Sequence, residues 1–133
     1  MGQPQDSPRY RVVVAEDNQL IRELLGQQLR ELGHDLAGDA ANGIEVVEVV
    51  AREHPDVALI DRGLPLQDGL AAARSIAVRA PTAVVMLSAY VSNGDPAAEA
   101  HAAGAHVFLA KPFSLEDLDM ALQQAVRRFV EAR

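Results

Sequence analysis

The sequence lacks cysteine, contains a single lysine and has no long hydrophobic run. The lack of cysteine excludes disulfide bonds, thiolate-bound zinc and thiol catalysis. No apolar run approaches the ~20 residues that a membrane-spanning helix needs. Residues 1–11 are too polar for a signal peptide. We therefore expect a soluble, cytoplasmic protein that does not contact a membrane.

Basic residues are scarce as well. The chain carries 12 Lys and Arg against 19 Asp and Glu, which gives a formal net charge of −7. Nucleic-acid-binding domains usually present a basic face to the phosphate backbone, so direct binding of DNA or RNA by this chain is disfavoured. With 133 residues, 49% of them hydrophobic, the chain can form one domain with a sizeable core. We predict a loose tail at residues 1–8 and a domain at residues 9–131.

Short apolar runs alternate with longer amphipathic patterns along the chain. The runs predict strands at residues 12–15, 34–38 (the weakest), 57–60, 83–87 and 105–110. The first amphipathic stripe predicts a helix that ends at Gly33 and packs through Leu20, Ile21, Leu24, Leu25, Leu29 and Leu32. The other helices are predicted from an Ala-rich segment that ends near Arg79 and from capping patterns at Asn42 with Glu45, Asp95 with Pro96, and Ser114 with Asp117.

Each predicted strand is thus followed by a predicted helix. This alternation is typical of a parallel sheet that is covered by helices on both faces. We therefore predict an α/β fold with a doubly wound, five-stranded parallel sheet and five helices. Ligands of such sheets bind beyond the carboxyl ends of the strands. The residues that directly follow the apolar runs are therefore the candidates for a functional site.

Charged or hydroxyl side chains follow four of the five runs. Glu16 and Asp17 come after the first strand, Asp61 after the third, Ser88 after the fourth and Lys111 after the fifth. Taken singly, each residue also has a purely structural explanation. Glu16 and Asp17 could stabilise the N-terminus of the following helix, and Asp61 could cap a turn. Ser88 could form a hydrogen bond to the backbone. Lys111 precedes a helix whose dipole disfavours a cation, so it needs a nearby anion. The occurrence of all of them at one edge favours a functional site.

These residues and their neighbours also resemble a known family. The matching motifs are Glu16-Asp17 after Val-Val-Val-Ala, Asp61-x-x-Leu64-Pro65-x-x-Asp68-Gly69, Ser88-Ala89 and Lys111-Pro112-Phe113. Together, over residues 9–131, they resemble the response-regulator receiver domain, the phosphorylatable unit of bacterial two-component signalling. The departures are mild: the family more often has Asp at position 16, Met at 64 and Thr at 88. The resemblance implies the flavodoxin-like strand order 2-1-3-4-5.

The resemblance also implies a metal site. Asp61 would be the phosphoacceptor and a ligand of Mg²⁺, and Asp17 would be a direct ligand. Glu16 would bind the metal through water, and the carbonyl of Gly63 would complete the protein ligands.

Further roles follow from the same resemblance. Ser88 and Lys111 would hold the phosphoryl oxygens, and Phe108, three residues before the lysine, would lie at the aromatic switch position. The chain would catalyse only its own aspartyl phosphorylation and dephosphorylation.

The implied partners are a sensor histidine kinase or a phosphotransfer protein. We expect the output to be a phospho-dependent homodimer or effector contact through the fourth helix, fifth strand and fifth helix. The alternative is the N-terminal receiver of a longer transcriptional or RNA-binding antiterminator regulator whose output domain lies outside this sequence.

Two other classes share parts of this pattern. A flavin-binding electron carrier would need hydroxyls and glycines after the first strand, whereas Glu16 and Asp17 would repel a phosphate there in the absence of a metal ion. A phosphatase of the haloacid-dehalogenase type would have its nucleophilic Asp after the first strand, with a second Asp two residues on. Asp61 follows the third run and is followed by Arg62 and Gly63, so we expect no turnover of external phosphate esters.

Overall fold

The computed structural model describes residues 8–89 and 94–132. In these residues, strands and helices alternate in the order β1 Arg11–Ala15, α1 Gln19–Glu31, β2 Asp35–Ala40, α2 Gly43–Glu53, β3 Val57–Asp61, α3 Gly69–Arg79, β4 Ala83–Ser88, α4 Pro96–Ala102, β5 Val107–Ala110 and α5 Leu115–Glu131. The strands form one parallel sheet in the order β2-β1-β3-β4-β5. The predicted fold class and strand order are confirmed. Residues 1–7 of the predicted tail lie outside the described residues.

The sheet is buried on both faces, which explains the unbroken apolar runs. Alternate residues of each strand point to opposite faces. Val12 and Val14 contribute to the core beneath α1 and α5, whereas Val13 and Ala15 contribute to the core beneath α2, α3 and α4. All four of these side chains are fully buried.

Each helix begins at a polar N-cap soon after a strand ends. The N-cap side chains accept hydrogen bonds from backbone N–H groups of the first helical turn and belong to Asn18, Asn42, Asp68, Asp95 and Ser114. Such caps satisfy donors that have no partner within the helix, so the connecting loops can be short. Short loops keep the residues at the strand ends close to one edge of the sheet.

The apolar stripe predicted for α1 is only partly correct. Leu25 and Leu29 are buried, but Leu20, Ile21 and Leu24 are 76%, 41% and 51% exposed. Successive residues of a helix are rotated by ~100°, so the buried face that Leu25 and Leu29 define points about opposite to Leu20. Arg22 lies on the buried face, where it contacts the strand-end residues.

Two histidines replace backbone partners inside the fold. The Tyr10 N–H donates to His34 Nδ1 at 3.1 Å, and His34 Nε2 lies 2.8 Å from Asp119 Oδ1. The Val84 N–H donates to His106 Nδ1 at 3.0 Å. This side-chain bond precedes the regular ladder between β4 and β5, so β5 begins at Val107 and not at residue 105 as predicted. Neither histidine therefore needs a ligand role to explain its place.

In the part of the chain that the structure describes, none of the helices has the length and apolar character needed to cross a bilayer.

Candidate functional site

Three carboxylates meet at the carboxyl ends of β1 and β3. Glu16 and Asp17 directly follow β1, Asp61 ends β3, and the two strands are hydrogen-bonded neighbours. One oxygen from each of the three carboxylates lies within 4.8 Å of the other two. The structure therefore brings together the three acidic residues that the sequence predicted. A set of carboxylate oxygens at this spacing can hold a metal ion, and oxygen ligands suit Mg²⁺ or Mn²⁺ better than zinc.

Glu16 is the most buried member of this cluster, with only 2% of its surface exposed. Burial raises the pKa of its carboxyl, and a hydrogen bond from the Asn18 N–H to Oε2, at 3.0 Å, acts in the opposite direction. The negative charge of Asp61 raises this pKa further. Glu16 is thus a desolvated carboxyl that a cation would stabilise in its charged form.

Lys111 supplies a cation to the cluster. Its Nζ lies 3.4 Å from Glu16 Oε1 and 3.5 Å from Asp61 Oδ1. The backbone N–H of Lys111 donates to the Ser88 carbonyl at 3.0 Å, and the peptide bond between Lys111 and Pro112 is cis. A lysine just before a helix needs a nearby anion, and the structure provides two, Glu16 and Asp61.

The loop that carries Asp61 is closely packed on one side and open on the other. A Cβ atom added to Gly69 would lie 2.5 Å from the Asp61 carbonyl oxygen and 2.6 Å from the Arg62 Cα. The Gly69 N–H donates to the Arg62 carbonyl at 2.9 Å, which closes the loop. Gly63 has no atom within 4 Å of such a Cβ, and its N–H lies 3.4 Å from Asp61 Oδ1. The loop thus requires a glycine at position 69 for space and leaves Gly63 accessible.

A cavity of about 480 Å³ opens beside Asp61 and is lined by Asp61, Arg62, Gly63, Asp68, Ser88, Ala89 and Lys111. Ser88 is buried at the end of β4, with 3% of its surface exposed. The cavity therefore joins the acidic cluster to the end of β4, and it has room for a group such as a phosphoryl.

Phe108 lies on β5 and is half-buried against the core beneath α2, α3 and α4. It pairs in register with Met86, two residues before Ser88 on β4. Because residues two apart share a face of a strand, Phe108 and Ser88 lie on the same face of neighbouring strands. The switch role of these two residues stays a prediction.

Two arginines contact the site, and the sequence analysis assigned a role to neither. Arg22 of α1 donates to the Glu16 carbonyl at 2.7 Å, and Arg62 donates to Glu99 of α4 at 2.8 Å. The first depends on which face of α1 is buried, and the leucine stripe indicated that face only in part. The second joins residues 37 positions apart, and no local pattern signals it.

With this geometry established, comparisons with known proteins identify the class. The family model described as the response regulator receiver domain matches residues 12–123. The chain therefore belongs to the response-regulator receiver family of two-component signalling.

Particular relatives support this assignment. The chain is 42% identical over 121 residues to the transcriptional regulatory protein PdtaR of Mycobacterium tuberculosis, and the match covers 91% of this chain and 58% of the relative. It is 38% identical over 122 residues to the virulence transcriptional regulatory protein PhoP of Salmonella typhimurium, and this match covers 89% of the chain and 52% of the relative. The chain thus spans little more than half the length of these two relatives.

Solved structures agree with the fold. The signal receiver domain of NarL from Mycobacterium tuberculosis matches with a TM-score of 0.80 at 29% identity, covering 90% of this chain and 97% of that one. The response regulator domain of Thermotoga maritima CheB matches with a TM-score of 0.76 at 30% identity, covering 90% and 98% of the two chains.

Proposed function

We propose that the chain accepts a phosphoryl group on Asp61, with Mg²⁺ bound beside it, from a histidine kinase or a phosphotransfer protein. The observation that carries this proposal is the convergence of Glu16, Asp17 and Asp61 within 4.8 Å, with Lys111 in contact with two of them. Membership of the receiver family supports the same function.

The metal would relieve a repulsion built into the site. Two carboxylates ~4 Å apart repel each other by about 4 kcal/mol at an effective dielectric constant of 20. In this proposal Asp17 and Asp61 bind Mg²⁺ directly, Glu16 binds it through water and the Gly63 carbonyl completes the protein ligands. The bound ion would neutralise charge on the equatorial oxygens during transfer.

The chemical step would be an in-line displacement at phosphorus. A carboxylate oxygen of Asp61 forms the new O–P bond, while the bond between phosphorus and the donor's imidazole nitrogen, or the oxygen of acetyl phosphate, breaks. The leaving group takes the bonding electron pair. Lys111 and Ser88 would hold the transferred oxygens by a charge-assisted and a neutral hydrogen bond.

Labelling with a small phosphodonor tests this proposal. With acetyl phosphate and Mg²⁺, we expect one acid-stable, hydroxylamine-labile phosphoryl group per chain. Asp61→Asn should abolish it, because an amide is not a nucleophile here. Asp95→Asn is the matched control, since Asn caps a helix as well as Asp does and Asp95 caps α4. No adduct on the unaltered protein, or the same labile adduct on Asp61→Asn, would contradict the proposal.

The response would pass from Ser88 to Phe108. Drawing the Ser88 hydroxyl towards the new phosphoryl group would free space that the Phe108 ring can fill. Beryllofluoride, a phosphoryl mimic, should then restrict the Phe108 ring in an NMR spectrum, and Ser88→Ala should remove this response. The output would be a phospho-dependent homodimer or effector contact on the face formed by α4, β5 and α5. Beryllofluoride should also shift the loop from Ala89 to Gly94, of which residues 90–93 lie outside the described residues.

Charge reversal at Glu99 should weaken that association while leaving phosphorylation of Asp61 intact. In the structure, Glu99 is paired with Arg62, which directly follows Asp61 in the loop after β3. A change at Glu99 therefore alters the site loop and α4 together, and it cannot serve as a test of the surface by itself.

A second candidate function is the receiver unit of a longer transcriptional or RNA-binding antiterminator regulator. The observation in its favour is the 42% identity to PdtaR, a relative named as a transcriptional regulatory protein, of which the match covers 58%. The reading frame of the gene beyond position 133 tests this candidate, because it requires an output domain there. A stop codon at that point would contradict it.

A further inference from the structure

An ion pair joins the loop that carries Asp61 to α4. The Arg62 guanidinium donates to Glu99 Oε2 at 2.8 Å, and the two side chains are 21% and 38% exposed. Arg62 follows Asp61 directly in the chain, while Glu99 lies in the middle of α4. The pair is thus a direct link between the candidate phosphoacceptor loop and a helix of the expected output face.

The backbone of Arg62 is fixed, whereas its side chain reaches across the cavity edge. The Arg62 N–H donates to the Leu87 carbonyl at 2.8 Å, and the Arg62 carbonyl accepts from the Gly69 N–H at 2.9 Å. Arg62 also lines the 480 Å³ cavity together with Asp61 and Lys111. A long arginine side chain that begins at this cavity and ends on α4 can reach an anion in the cavity by rotation about its own bonds.

The other contacts of α4 are small. Of its seven residues, only Ala100 is buried. Ala103 and Ala105, which follow the helix, are buried as well. An alanine methyl contributes little apolar area, so the ion pair at Glu99 is comparable in strength to one of these buried contacts.

We propose that Arg62 is a positioning residue that holds α4 through Glu99 while Asp61 is unmodified and turns towards the phosphoryl group once Asp61 carries one. This inference rests on the proposed phosphorylation of Asp61. A phosphoryl group offers three strong acceptor oxygens and about two negative charges, so it is a stronger partner for a guanidinium than a half-exposed carboxylate is. The exchange of partners removes the polar restraint on α4 and couples the site to the output face.

Linkage provides the first test. If Glu99 competes with the new anion for Arg62, removal of the Glu99 charge must favour the anion-bound state. The gain equals the free energy of the ion pair between Arg62 and Glu99. Glu99→Gln should therefore bind beryllofluoride more tightly, in saturating Mg²⁺, by about two- to fivefold, the range for a partly exposed ion pair. Amide NMR signals can follow this titration.

The Arg62→Gln variant separates partner exchange from a merely structural contact. It loses the pair in the free state and the attraction in the bound state, so its affinity for beryllofluoride should not rise. In the Arg62→Gln background, the further change Glu99→Gln should have no effect. If the ion pair only held α4 in place, Arg62→Gln and Glu99→Gln would raise the affinity for beryllofluoride by the same factor. In the unaltered protein, the Nε–Hε signal of Arg62 should shift on addition of beryllofluoride.

The matched control is Glu48→Gln, which breaks an ion pair between Glu48 and Arg79 on α2 and α3. It should bind beryllofluoride as the unaltered protein does. Equal affinities of Glu99→Gln and Glu48→Gln, with normal binding to the unaltered protein, would overturn the role of Arg62 and leave the proposed function intact. A failure of the unaltered protein to bind beryllofluoride would instead overturn the proposed function and the coupling together.

Discussion

The loops that follow β1 and β3 make several polar contacts, whereas the contacts of α4 with the rest of the described chain include small buried alanines and the ion pair between Glu99 and Arg62. Glu16, for example, accepts a hydrogen bond from the Asn18 N–H on its carboxylate and one from the Arg22 guanidinium on its carbonyl. On the other side, the buried residue of α4 is Ala100. The two regions are linked by the ion pair between Arg62 and Glu99, yet we expect a displacement of α4 to cost less free energy than a displacement of these loops.

Two other helices, α1 and α5, are held by larger buried side chains than α4 is. α1 buries Leu25 and Leu29, and α5 buries Leu118 and Leu122. Full burial of a leucine contributes ~1.5–3 kcal/mol, but each methyl-sized group contributes only about 0.8 kcal/mol. A metal and a phosphoryl group need ligands at fixed positions, while a helix that responds to them must move at low cost. Under the proposed function, the first region (the sensing side) would bind the metal and the phosphoryl group, and the second (the responding side) would respond to them.

The largest expected effect is on the sensing side. Lys111→Ala should slow phosphorylation by acetyl phosphate by about 100-fold or more, since it removes the cation that would stabilise the transferring oxygens. The free energy of unfolding should change by less than ~1 kcal/mol, because the lysine side chain is 25% exposed and its contacts with Glu16 and Asp61 are long, at 3.4 and 3.5 Å. Labelling kinetics and urea unfolding measure the two quantities. Arg79→Ala, at a half-exposed site on α3, is the control that should leave the kinetics unchanged.

A pair of glycine substitutions tests how tightly the loop that carries Asp61 is packed. Gly69→Ala should lower the free energy of unfolding by about 1–3 kcal/mol, because its Cβ would collide with backbone atoms of Asp61 and Arg62. Gly63→Ala should change it by no more than ~0.5 kcal/mol, because that position is open. Urea denaturation of both variants makes the comparison. Equal losses would mean that the loop is not packed as the structure shows.

The same substitution in two helices compares the regions directly. Ala125 in α5 and Ala100 in α4 are both buried. Ala125→Gly should lower the free energy of global unfolding by about 1 kcal/mol. Ala100→Gly should mainly speed amide hydrogen exchange within α4 and change global unfolding by less than ~0.5 kcal/mol, since α4 can open locally. If Ala100→Gly lowered the free energy of global unfolding as much as Ala125→Gly does, α4 would belong to the cooperative core.

The smallest expected effect is a dependence on pH at the start of β5. Burial and the neighbouring positive charges of His101 and Arg128 lower the pKa of His106. A histidine with a lowered pKa stabilises the fold fully above its ordinary pKa of ~6.5, and this contribution is lost as the pH falls through the folded value. His106→Asn should flatten the decline in unfolding free energy between pH 7 and 5, because asparagine does not titrate in this range. The fold should be kept, since the Asn oxygen can still accept the hydrogen bond from the Val84 N–H. An unchanged slope would exclude His106 as its source.

The sequence predicted the fold and the acidic site because both depend on local patterns. The alternation of apolar runs and capped helices defines a parallel sheet, and parallel strands bring their carboxyl ends to one edge. Glu16, Asp17 and Asp61 therefore had to converge once the strand order was known. The elements were predicted to within about two residues at their ends.

Features that depend on helix rotation or distant pairing were not predicted. Leu20 and Leu24 are exposed because another side of α1 faces the sheet. The leucines of α1 cover more of the helix surface than the sheet can bury, so their pattern does not show which side is buried. The pairing of Arg62 with Glu99 joins residues 37 positions apart. Both depend on packing distances that only the assembled fold sets.

Amide hydrogen exchange with and without beryllofluoride tests the central claim most directly. In Mg²⁺ alone, α4 amides should exchange through local opening, faster than those of α1 and α5, whose buried leucines open only with the whole domain. Beryllofluoride should protect the loops after β1 and β3 and change the exchange of α4 more than that of α1 or α5. Exchange of α4 at the rate of global unfolding, unaltered by beryllofluoride that is bound at Asp61, would contradict the division into a fixed sensing side and a mobile responding side.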